Sequence, residues 1–186
     1  MSNDYFNEFD GKKFDVIYAD PPWKFGSAKS GGSMKSGASQ KYDVMTIDAL
    51  KKMPVHKLAS DNCLLVMWWV GAMPQEAIDL VESWGFTLKN MNGFVWNKLT
   101  VKGLPFFGMG YYTRAGSESA IIAIKGKPDI QSRGVRAVIH AKVGKHSEKP
   151  GEFRQAIEKL MGKSCPKIEL FARVKADGFE SWGNEV

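Results

Sequence analysis

Four runs of apolar residues divide the chain, at residues 14–19, 63–69, 120–124 and 168–172. Each run is continuously apolar and does not alternate with polar positions. That pattern is typical of strands covered on both faces, as in parallel sheets. Residues 85–98 hold a weaker pair of apolar stretches, and the Asn-Gly dipeptide at 92–93 predicts a turn between them.

Segments with helical periodicity lie between these runs, at residues 46–53, 73–85 and 149–162. Thr46 is a capping residue for the first segment, Pro74 stands in the first turn of the second, and Gly85 stops the second. Strands that alternate with helices predict an α/β fold with a mostly parallel sheet. No repeat or linker interrupts the pattern, so we expect one domain over residues 1–186.

Two further segments have neither pattern, and a third is strongly basic. Residues 26–41 are almost entirely Gly, Ser, Lys and other small or polar residues, so we expect a loop that is mobile when no ligand is bound. Residues 99–117 are rich in glycine and aromatic residues, and we expect a second flexible loop there. Residues 125–149 concentrate lysine and arginine. Each of the three is either solvated surface or a binding surface.

The composition favours an anionic partner. The 186 residues carry a formal net charge of +6, and 12% of them are aromatic. A basic composition rich in aromatic residues suits a nucleic-acid partner, whose phosphates attract cations and whose bases stack on flat rings. The two cysteines are expected to be free thiols, and the three histidines have no metal-ligand spacing, so we expect no metal. No signal sequence or bilayer-spanning apolar run is present, so we expect a soluble, cytoplasmic chain with no membrane partner.

The first apolar run ends in the tetrapeptide Asp20, Pro21, Pro22 and Trp23. Ligands of open α/β sheets bind beyond the carboxyl ends of strands, which is where Asp20 lies. The prolines make the turn rigid, and we expect them to leave carbonyl groups free to accept hydrogen bonds. A carboxylate, a fixed carbonyl and an aromatic face together suit a planar ring with an exocyclic amine, and a methyl sulfonium is the electrophile that such an amine needs. The alternative is a turn that only ends the strand and packs Trp23.

The tetrapeptide resembles the signature of the MT-A70 family, the N6-adenine methyltransferases related to the catalytic subunit of the eukaryotic messenger-RNA adenosine methyltransferase. The resemblance extends from about residue 13 to the end of the chain. It includes, in the family's order, CLLVMWWVGAMPQEAIDLVESWGF, FVWNK, YYTRAGSESAIIAIKGKP, HSEKPGEFRQAIEKL, KIELFARV and WGNE. The resemblance implies a permuted Rossmann-like α/β fold that uses S-adenosylmethionine, with the DPPW strand before the cofactor-side strand.

The resemblance also implies roles for individual residues. The catalytic set is Asp20, Pro21, Pro22 and Trp23. The cofactor-binding set is Asp20, Lys149, Glu169, Phe171, Arg173, Gly183, Asn184 and Glu185. The substrate-binding set is Tyr42, Lys98, Arg114 and Glu118, joined by Lys29 and Lys35, whose charges suit phosphates.

Two of these positions carry further expectations. Glu169 lies in an apolar strand, where an unpaired carboxylate is costly, so it needs a partner, either Arg173 or a ligand. The family commonly has glutamine where this chain has Glu185, and its His-Asn pair after the arginine of the last strand is replaced here by Val174 and Lys175.

The resemblance favours an adenine N6-methyltransferase of DNA, from a bacterium or a phage-infected cell, acting as a monomer or homodimer. Three other functions remain open: an adenosine N6-methyltransferase of RNA, a cytosine-amine methyltransferase, and a nucleic-acid-binding partner subunit with no activity of its own. A purely structural protein is the least favoured, because it would give the basic loops no function.

Overall fold

The computed structural model describes residues 5–24, 45–110, 112–144 and 148–186. Its core is one sheet of seven strands, flanked by three helices. The strands are β1 (Phe14–Ala19), β2 (Ala59–Trp69), β3 (Thr87–Leu99), β4 (Ser117–Lys125), β5 (Val138–Lys142), β6 (Lys167–Leu170) and β7 (Glu180–Trp182). The helices are α1 (Ile47–Lys51), α2 (Pro74–Ser83) and α3 (Gly151–Met161), and short 3-10 turns cover Asn7–Phe9 and Val55–Lys57.

The strands are ordered β5-β3-β4-β2-β1-β6-β7 across the sheet. Strand β4 runs antiparallel to both of its neighbours, and the other neighbouring pairs are parallel. The chain moves from β1 to β2 on one side and returns to β6 on the other side of β1. The strand that precedes the DPPW turn therefore comes first in the chain and the cofactor-side strands come last, as the permuted α/β fold predicts.

Both faces of the sheet are covered, which explains the continuous apolar runs. Helices α1 and α2 cover one face, where Leu65 and Met67 of β2 point, and α3 covers the other face, where Leu64, Val66 and Trp68 point. Successive side chains of a strand point to opposite faces of the sheet. A strand that is buried on both faces therefore has apolar residues at nearly all of its positions. The result is a three-layer α/β/α arrangement.

The predicted turn at residues 92–93 is wrong. Thr87–Leu99 is one strand, with irregular pairing between Leu88 and Phe94. A Cβ atom on Gly93 would lie 2.3 Å from Cγ1 of Ile122 in the neighbouring strand. The glycine therefore permits close strand packing and does not supply a hairpin turn.

The helix predictions are confirmed in their essentials. The Thr46 side chain accepts a hydrogen bond from the Ala49 amide at the start of α1, Pro74 opens α2, and Gly85 follows with a φ of 83°. Strands β5 and β7 are new, because a run of five or three residues in a polar context gives too weak a pattern to detect. In the part of the chain that the structure describes, no helix is long and apolar enough to cross a bilayer.

Candidate active site

The carboxyl ends of six strands meet at one edge of the sheet, together with the amino end of β4. This edge collects charged residues that are far apart in the sequence. Asp20 directly follows β1, Lys98 lies near the end of β3, Glu118 lies near the start of β4, and Lys149 precedes α3. Because β4 is antiparallel, its first residues reach the same edge as the last residues of β1 and β3.

These four residues form a continuous chain of alternating charge. The Lys149 Nζ atom lies 2.7 Å from Oδ2 of Asp20 and 3.4 Å from Oε2 of Glu118. The Lys98 Nζ atom donates to Oε1 of Glu118. Lys149 is the most enclosed member, with 11% of its side chain exposed, against 36% for Glu118. One cluster thus contains four sequence-predicted residues: Asp20 of the catalytic and cofactor sets, Lys149 of the cofactor set, and Lys98 and Glu118 of the substrate set.

The network keeps its central members charged. Burial alone would lower the pKa of Lys149, but the charges of Asp20 and Glu118 outweigh burial and raise it. Burial alone would raise the pKa of Glu118, but the charges of Lys149 and Lys98 outweigh burial and lower it. An opposite charge within a few ångströms favours the ionised form of a group. Lys149 is therefore a cation, and Glu118 an anion, at neutral pH.

Aromatic side chains pack against this network on its buried side. The Lys149 ammonium lies 5.2 Å from the centroid of a Trp68 ring. The Trp68 indole donates to the hydroxyl of Tyr18 at 2.7 Å, and its ring meets Phe153 of α3 edge-on at 4.9 Å. Burial, followed by the charge of Glu169, raises the pKa of Tyr18, so its hydroxyl stays protonated. The sequence does not single out Trp68, because a tryptophan inside an apolar run cannot be distinguished from an ordinary core residue.

The DPPW turn is rigid, but its carbonyl groups are not free. The Pro21 carbonyl accepts from the Trp23 amide at 2.9 Å, and the Pro22 carbonyl accepts from the Met45 amide at 3.0 Å. The expectation of unbonded carbonyls is therefore wrong. The prolines remove their own amide donors, but the Trp23 amide, next along the chain, and the more distant Met45 amide bond the two carbonyl oxygens. A carbonyl oxygen has two lone pairs, so Pro21 retains the capacity for one more hydrogen bond.

Trp23 is part of the core. Only 8% of its surface is exposed, and its indole donates to the Trp68 carbonyl at 3.1 Å. This bond ties the turn after β1 to the end of β2. The structure thus gives Trp23 a packing function, and its function as a stacking wall stays a prediction.

Several residues that are predicted to bind the cofactor lie where the order of strands reverses, beside β1 and β6. The Asp20 amide donates to the Leu170 carbonyl at 3.3 Å, which joins the two strand ends. The next residue, Phe171, has a φ of 61°, so β6 ends there and not at residue 172. Its ring packs edge-on against Trp182 of β7 at 5.5 Å. In open α/β sheets, the crevice at such a reversal is the usual ligand site.

The last predicted residues lie beside the same crevice. Gly183 is required by close packing, because a Cβ atom there would lie 2.4 Å from the Ala172 carbonyl oxygen. Arg173 pairs with Glu185 at 3.7 Å between Nη1 and Oε1. Asn184 stands exposed between Gly183 and Glu185. Their roles toward a cofactor stay predictions.

Glu169 has a partner that the sequence analysis did not identify. Arg154 of α3 binds it with both ends of its guanidinium, Nε to Oε2 at 2.6 Å and Nη2 to Oε1 at 2.8 Å. The two partners expected from the sequence were Arg173 and a ligand, so the choice of Arg173 is corrected. Both carboxylate oxygens are engaged, and a direct contact of Glu169 with a cofactor stays a prediction. Arg154 directly follows the buried Phe153 and so lies beside the apolar stripe of α3. The apolar periodicity of a helix identifies only its apolar positions, so it does not indicate that Arg154 has a partner.

The remaining predicted residues lie elsewhere. Arg114 is in the connection between β3 and β4, with its guanidinium 5.0 Å from the ring centroid of Phe107. Tyr42, Lys29 and Lys35 lie outside the described residues, as does the whole 26–41 segment.

Comparison with known proteins identifies the family of this chain. The MT-A70 family model matches residues 14–185, from the first residue of β1 to the penultimate residue of the chain. The chain belongs to the MT-A70 family. The resemblance read from the DPPW turn and the segments that follow it is thereby confirmed.

The individual relatives of this MT-A70 protein are named as methyltransferases. The type II methyltransferase M.MunI of Mycoplasma is 34% identical over 200 residues, which cover 99% of this chain and 82% of that protein. The N(6)-adenine-specific methyltransferase METTL4 of Mus musculus is 28% identical, and the N(6)-adenosine-methyltransferase MT-A70-like of Arabidopsis thaliana is also 28% identical. The chain spans 38% of the length of the first of these two eukaryotic proteins and 24% of the second.

Proposed function

We propose that this protein transfers a methyl group from S-adenosylmethionine to the N6 amine of adenine in DNA. Family membership makes it a methyltransferase, and the names of its METTL4 relatives specify adenine N6. The observation that carries the proposal is the position of Asp20: it ends a buried strand at the reversal of strand order, with one oxygen held by Lys149.

The residues present fit an S-adenosylmethionine molecule by their chemistry. Its amino-acid end carries an ammonium and a carboxylate, which match Asp20 and Lys149. Its adenine matches the aromatic pair of Phe171 and Trp182, and its ribose hydroxyls match the polar side chain of Asn184. When bound, this cofactor supplies a methyl group on a cationic sulfur. Asp20 and Phe171 directly follow the paired strands β1 and β6, and Trp182 of the next strand, β7, packs against Phe171, which supports a cofactor site at this edge.

The target amine is held by the DPPW turn. Because Lys149 occupies Oδ2 of Asp20, Oδ1 accepts one N–H of the adenine amine. The second lone pair of the Pro21 carbonyl accepts the other N–H. Both bonds draw the nitrogen lone pair out of the ring and toward the methyl donor, and orientation of this kind is the main requirement of an in-line transfer.

The charged network holds the Asp20 carboxylate in place as a hydrogen-bond acceptor. An amine that gains a methyl group must lose a proton, and the Asp20 carboxylate is the base already bonded to that nitrogen. Lys149 fixes the orientation of the Asp20 carboxylate through its contact at 2.7 Å, and Glu118 and Lys98 fix Lys149 in turn. The protein acts here by preorganised electrostatics, which cost nothing to rearrange during the reaction.

DNA is the favoured substrate because the relative that matches this chain over most of both lengths is a type II methyltransferase. The eukaryotic relatives named for adenosine are several times longer than the stretch they share with this chain. The net charge of +6 suits either nucleic acid. An oligomeric state of one or two chains follows the sequence-based expectation.

Product identification tests this proposal. The protein is incubated with S-adenosylmethionine carrying a labelled methyl group and with matched DNA and RNA of the same sequence. The nucleic acid is then digested and the labelled nucleoside is identified by mass spectrometry. We expect label in N6-methyldeoxyadenosine from the DNA arm.

The other arms decide between the alternatives. Label in N6-methyladenosine from RNA alone would transfer the function to RNA, and label in N4-methyldeoxycytidine would identify cytosine as the target. No label in any nucleoside, from protein that binds both nucleic acid and cofactor, would support a partner subunit without activity.

A further inference from the structure

The loop that joins β3 to β4, described at residues 100–110 and 112–116 and here termed the β3–β4 loop, exposes apolar side chains. Phe107 is 76% exposed, Met109 is 65% exposed, and Tyr112 is fully exposed. Val101 and Leu104 are also exposed, so five of the eight exposed large apolar residues in the described part of the chain lie on this loop. Single exposed apolar residues are ordinary, but a concentration on one element marks an interaction surface.

The β3–β4 loop has a defined shape, because its two limbs are bonded to each other. The Gly108 amide donates to the Ala115 carbonyl at 2.8 Å. A Cβ atom on Gly108 would lie 2.6 Å from that same carbonyl oxygen, and one on Gly110 would lie 2.7 Å from the Thr113 carbonyl oxygen. Only glycine permits limbs this close. The exposed apolar side chains therefore lie on a turn whose backbone is fixed by hydrogen bonds.

The base of the loop is part of the charged network. Lys98, two residues before the loop, bonds Glu118, two residues after it. The Lys98 ammonium also lies 5.7 Å from the ring centroid of Phe106, inside the loop. From Glu118 the network continues through Lys149 to Asp20. The exposed surface is thus continuous with the site where the target base is bound.

The charge of the loop identifies the kind of partner. Between Lys98 and Glu118 the sequence has two charged residues, Lys102 and Arg114, and both are basic. The Arg114 guanidinium lies 5.0 Å from the exposed Phe107 ring. A flat ring beside a cation offers a stacking face for a base and a contact for the adjacent phosphate. An apolar protein surface would have to desolvate Arg114 without supplying an anion.

We propose that the β3–β4 loop is an intercalating finger, in which Phe107 enters the base stack of duplex DNA and Arg114 binds the neighbouring phosphate. The inference rests on the proposed function. The N6 amine of a stacked adenine is out of reach of Asp20, so the base must leave the helix. An apolar side chain inserted between base steps offsets the cost of unstacking and prevents the base from returning.

The test compares two synthetic duplexes that contain the methylation site mapped on plasmid DNA modified by the wild-type protein. One duplex pairs the target adenine with thymine, and the other places the target opposite an abasic site, where extrusion costs less. Phe107→Ala should slow methylation of the paired duplex about tenfold or more, and should slow methylation of the unpaired duplex less than about threefold, since unstacking costs a few kcal/mol per step. Phe107→Leu, which retains an apolar side chain, should recover part of the rate on the paired duplex.

Two controls accompany this comparison. Val138→Ala removes an apolar side chain that is 48% exposed at the opposite edge of the sheet, and it should leave both rates unchanged. Arg114→Ala should lower the slope of log affinity against log salt by about one, the signature of a lost phosphate contact, whereas Phe107→Ala should leave that slope unchanged.

Each failure has a distinct meaning. Equal losses on the two duplexes, or no loss on either, would overturn the intercalating finger while leaving the proposed function intact. A lost activity accompanied by a smaller particle in size-exclusion chromatography would show that the loop joins protein chains. Plasmid DNA that the wild-type protein leaves without N6-methyladenine would reject the proposed function, and the finger with it.

Discussion

The charged network at the end of β1 and the β3–β4 loop are opposite in construction. The network is largely buried and charged: Lys149 pairs with both Asp20 and Glu118, and its ammonium lies 5.2 Å from the centroid of a Trp68 ring. The β3–β4 loop is exposed and apolar, with Phe107 and Met109 directed into solvent. The two are joined through Lys98 and Glu118, which belong to the network and also form the base of the loop.

The contrast separates two tasks of an enzyme that acts on a base in a helix. The transfer itself needs fixed charges with little freedom, and burial strengthens charge interactions. Delivery of the base needs a surface that meets a large partner and gains free energy only when that partner is present. Substitutions in the charged network should therefore slow methylation of every DNA substrate, and substitutions in the loop should slow methylation only where the target base is paired.

The largest expected effect is on the support beneath the crevice. Glu169→Leu leaves the guanidinium of Arg154 buried without its partner, and the free energy of unfolding should fall by about 3–5 kcal/mol. The double variant Arg154→Met with Glu169→Leu should recover most of that loss, because a buried pair replaced by apolar residues is often neutral. Urea denaturation of the three proteins measures both values. A double variant as unstable as the single one would show that the pair does more than balance its own charges.

A substitution of Lys149 tests the charged network separately from the β3–β4 loop. Lys149→Met removes the cation that holds Asp20, and kcat should fall by about 10²–10³-fold, the usual cost of one electrostatic contact at a developing charge. Paired and unpaired DNA should be affected equally, unlike in the Phe107 variants. Lys159→Met, on the exposed side of α3, is the matched control and should retain full kcat. A Lys149 variant that loses activity only on paired DNA would erase the distinction between the two regions.

Trp23 tests whether the turn is anchored by packing. Trp23→Phe deletes the bond from the indole to the Trp68 carbonyl, and stability should fall by about 0.5–1.5 kcal/mol. Trp84→Phe deletes an equivalent bond, from its indole to the Leu50 carbonyl at 2.9 Å, on the α1–α2 layer. Thermal unfolding should register similar losses in both variants, and methylation should slow only in Trp23→Phe. Equal slowing in both would reduce the role of Trp23 to general stability.

The smallest expected effect is on the pH dependence of stability. The pKa of Glu118 is lowered in the folded chain, so its stabilising contribution is present above its ordinary pKa of 4.5 and is lost as the pH falls through the lower folded value. Lys149 has a raised pKa, so its contribution is lost only as the pH rises above 10.5 toward the folded value. Glu118→Gln should therefore flatten the acid limb of stability against pH, and Glu82→Gln, at an exposed position of α2, should not. An acid limb unchanged by Glu118→Gln would show that the network does not stabilise the fold.

The sequence predicts the parts of the molecule that repeat a simple pattern. Strands buried on both faces, such as Phe14–Ala19, have a continuous apolar run, and α2 has both a proline at its start and a glycine after its end. The turn at Gly93 fails because Asn-Gly is a local signal, and the reason for that glycine is the side chain of Ile122 on another strand.

The candidate site also has features that the sequence predicts and contacts that only the folded structure shows. The position of Asp20 follows from the strand that precedes it, and the four-residue motif led to the family. The engagement of the Pro21 carbonyl, the burial of Trp23 and the pairing of Glu169 with Arg154 depend on atoms brought together by folding. No pattern along the chain records such contacts.

The central claim is that Asp20 carries the methyl transfer from a fixed position at the end of β1. Its most direct test is single-turnover methylation of DNA by Asp20→Ala, with binding of DNA and of S-adenosylmethionine measured on the same protein and Asp15→Ala at the other end of β1 as the control. We predict no detectable methyl transfer by Asp20→Ala, retained DNA binding and an unchanged folded state, with Asp15→Ala active. Transfer by Asp20→Ala at a rate near that of the wild type would contradict a catalytic role of Asp20.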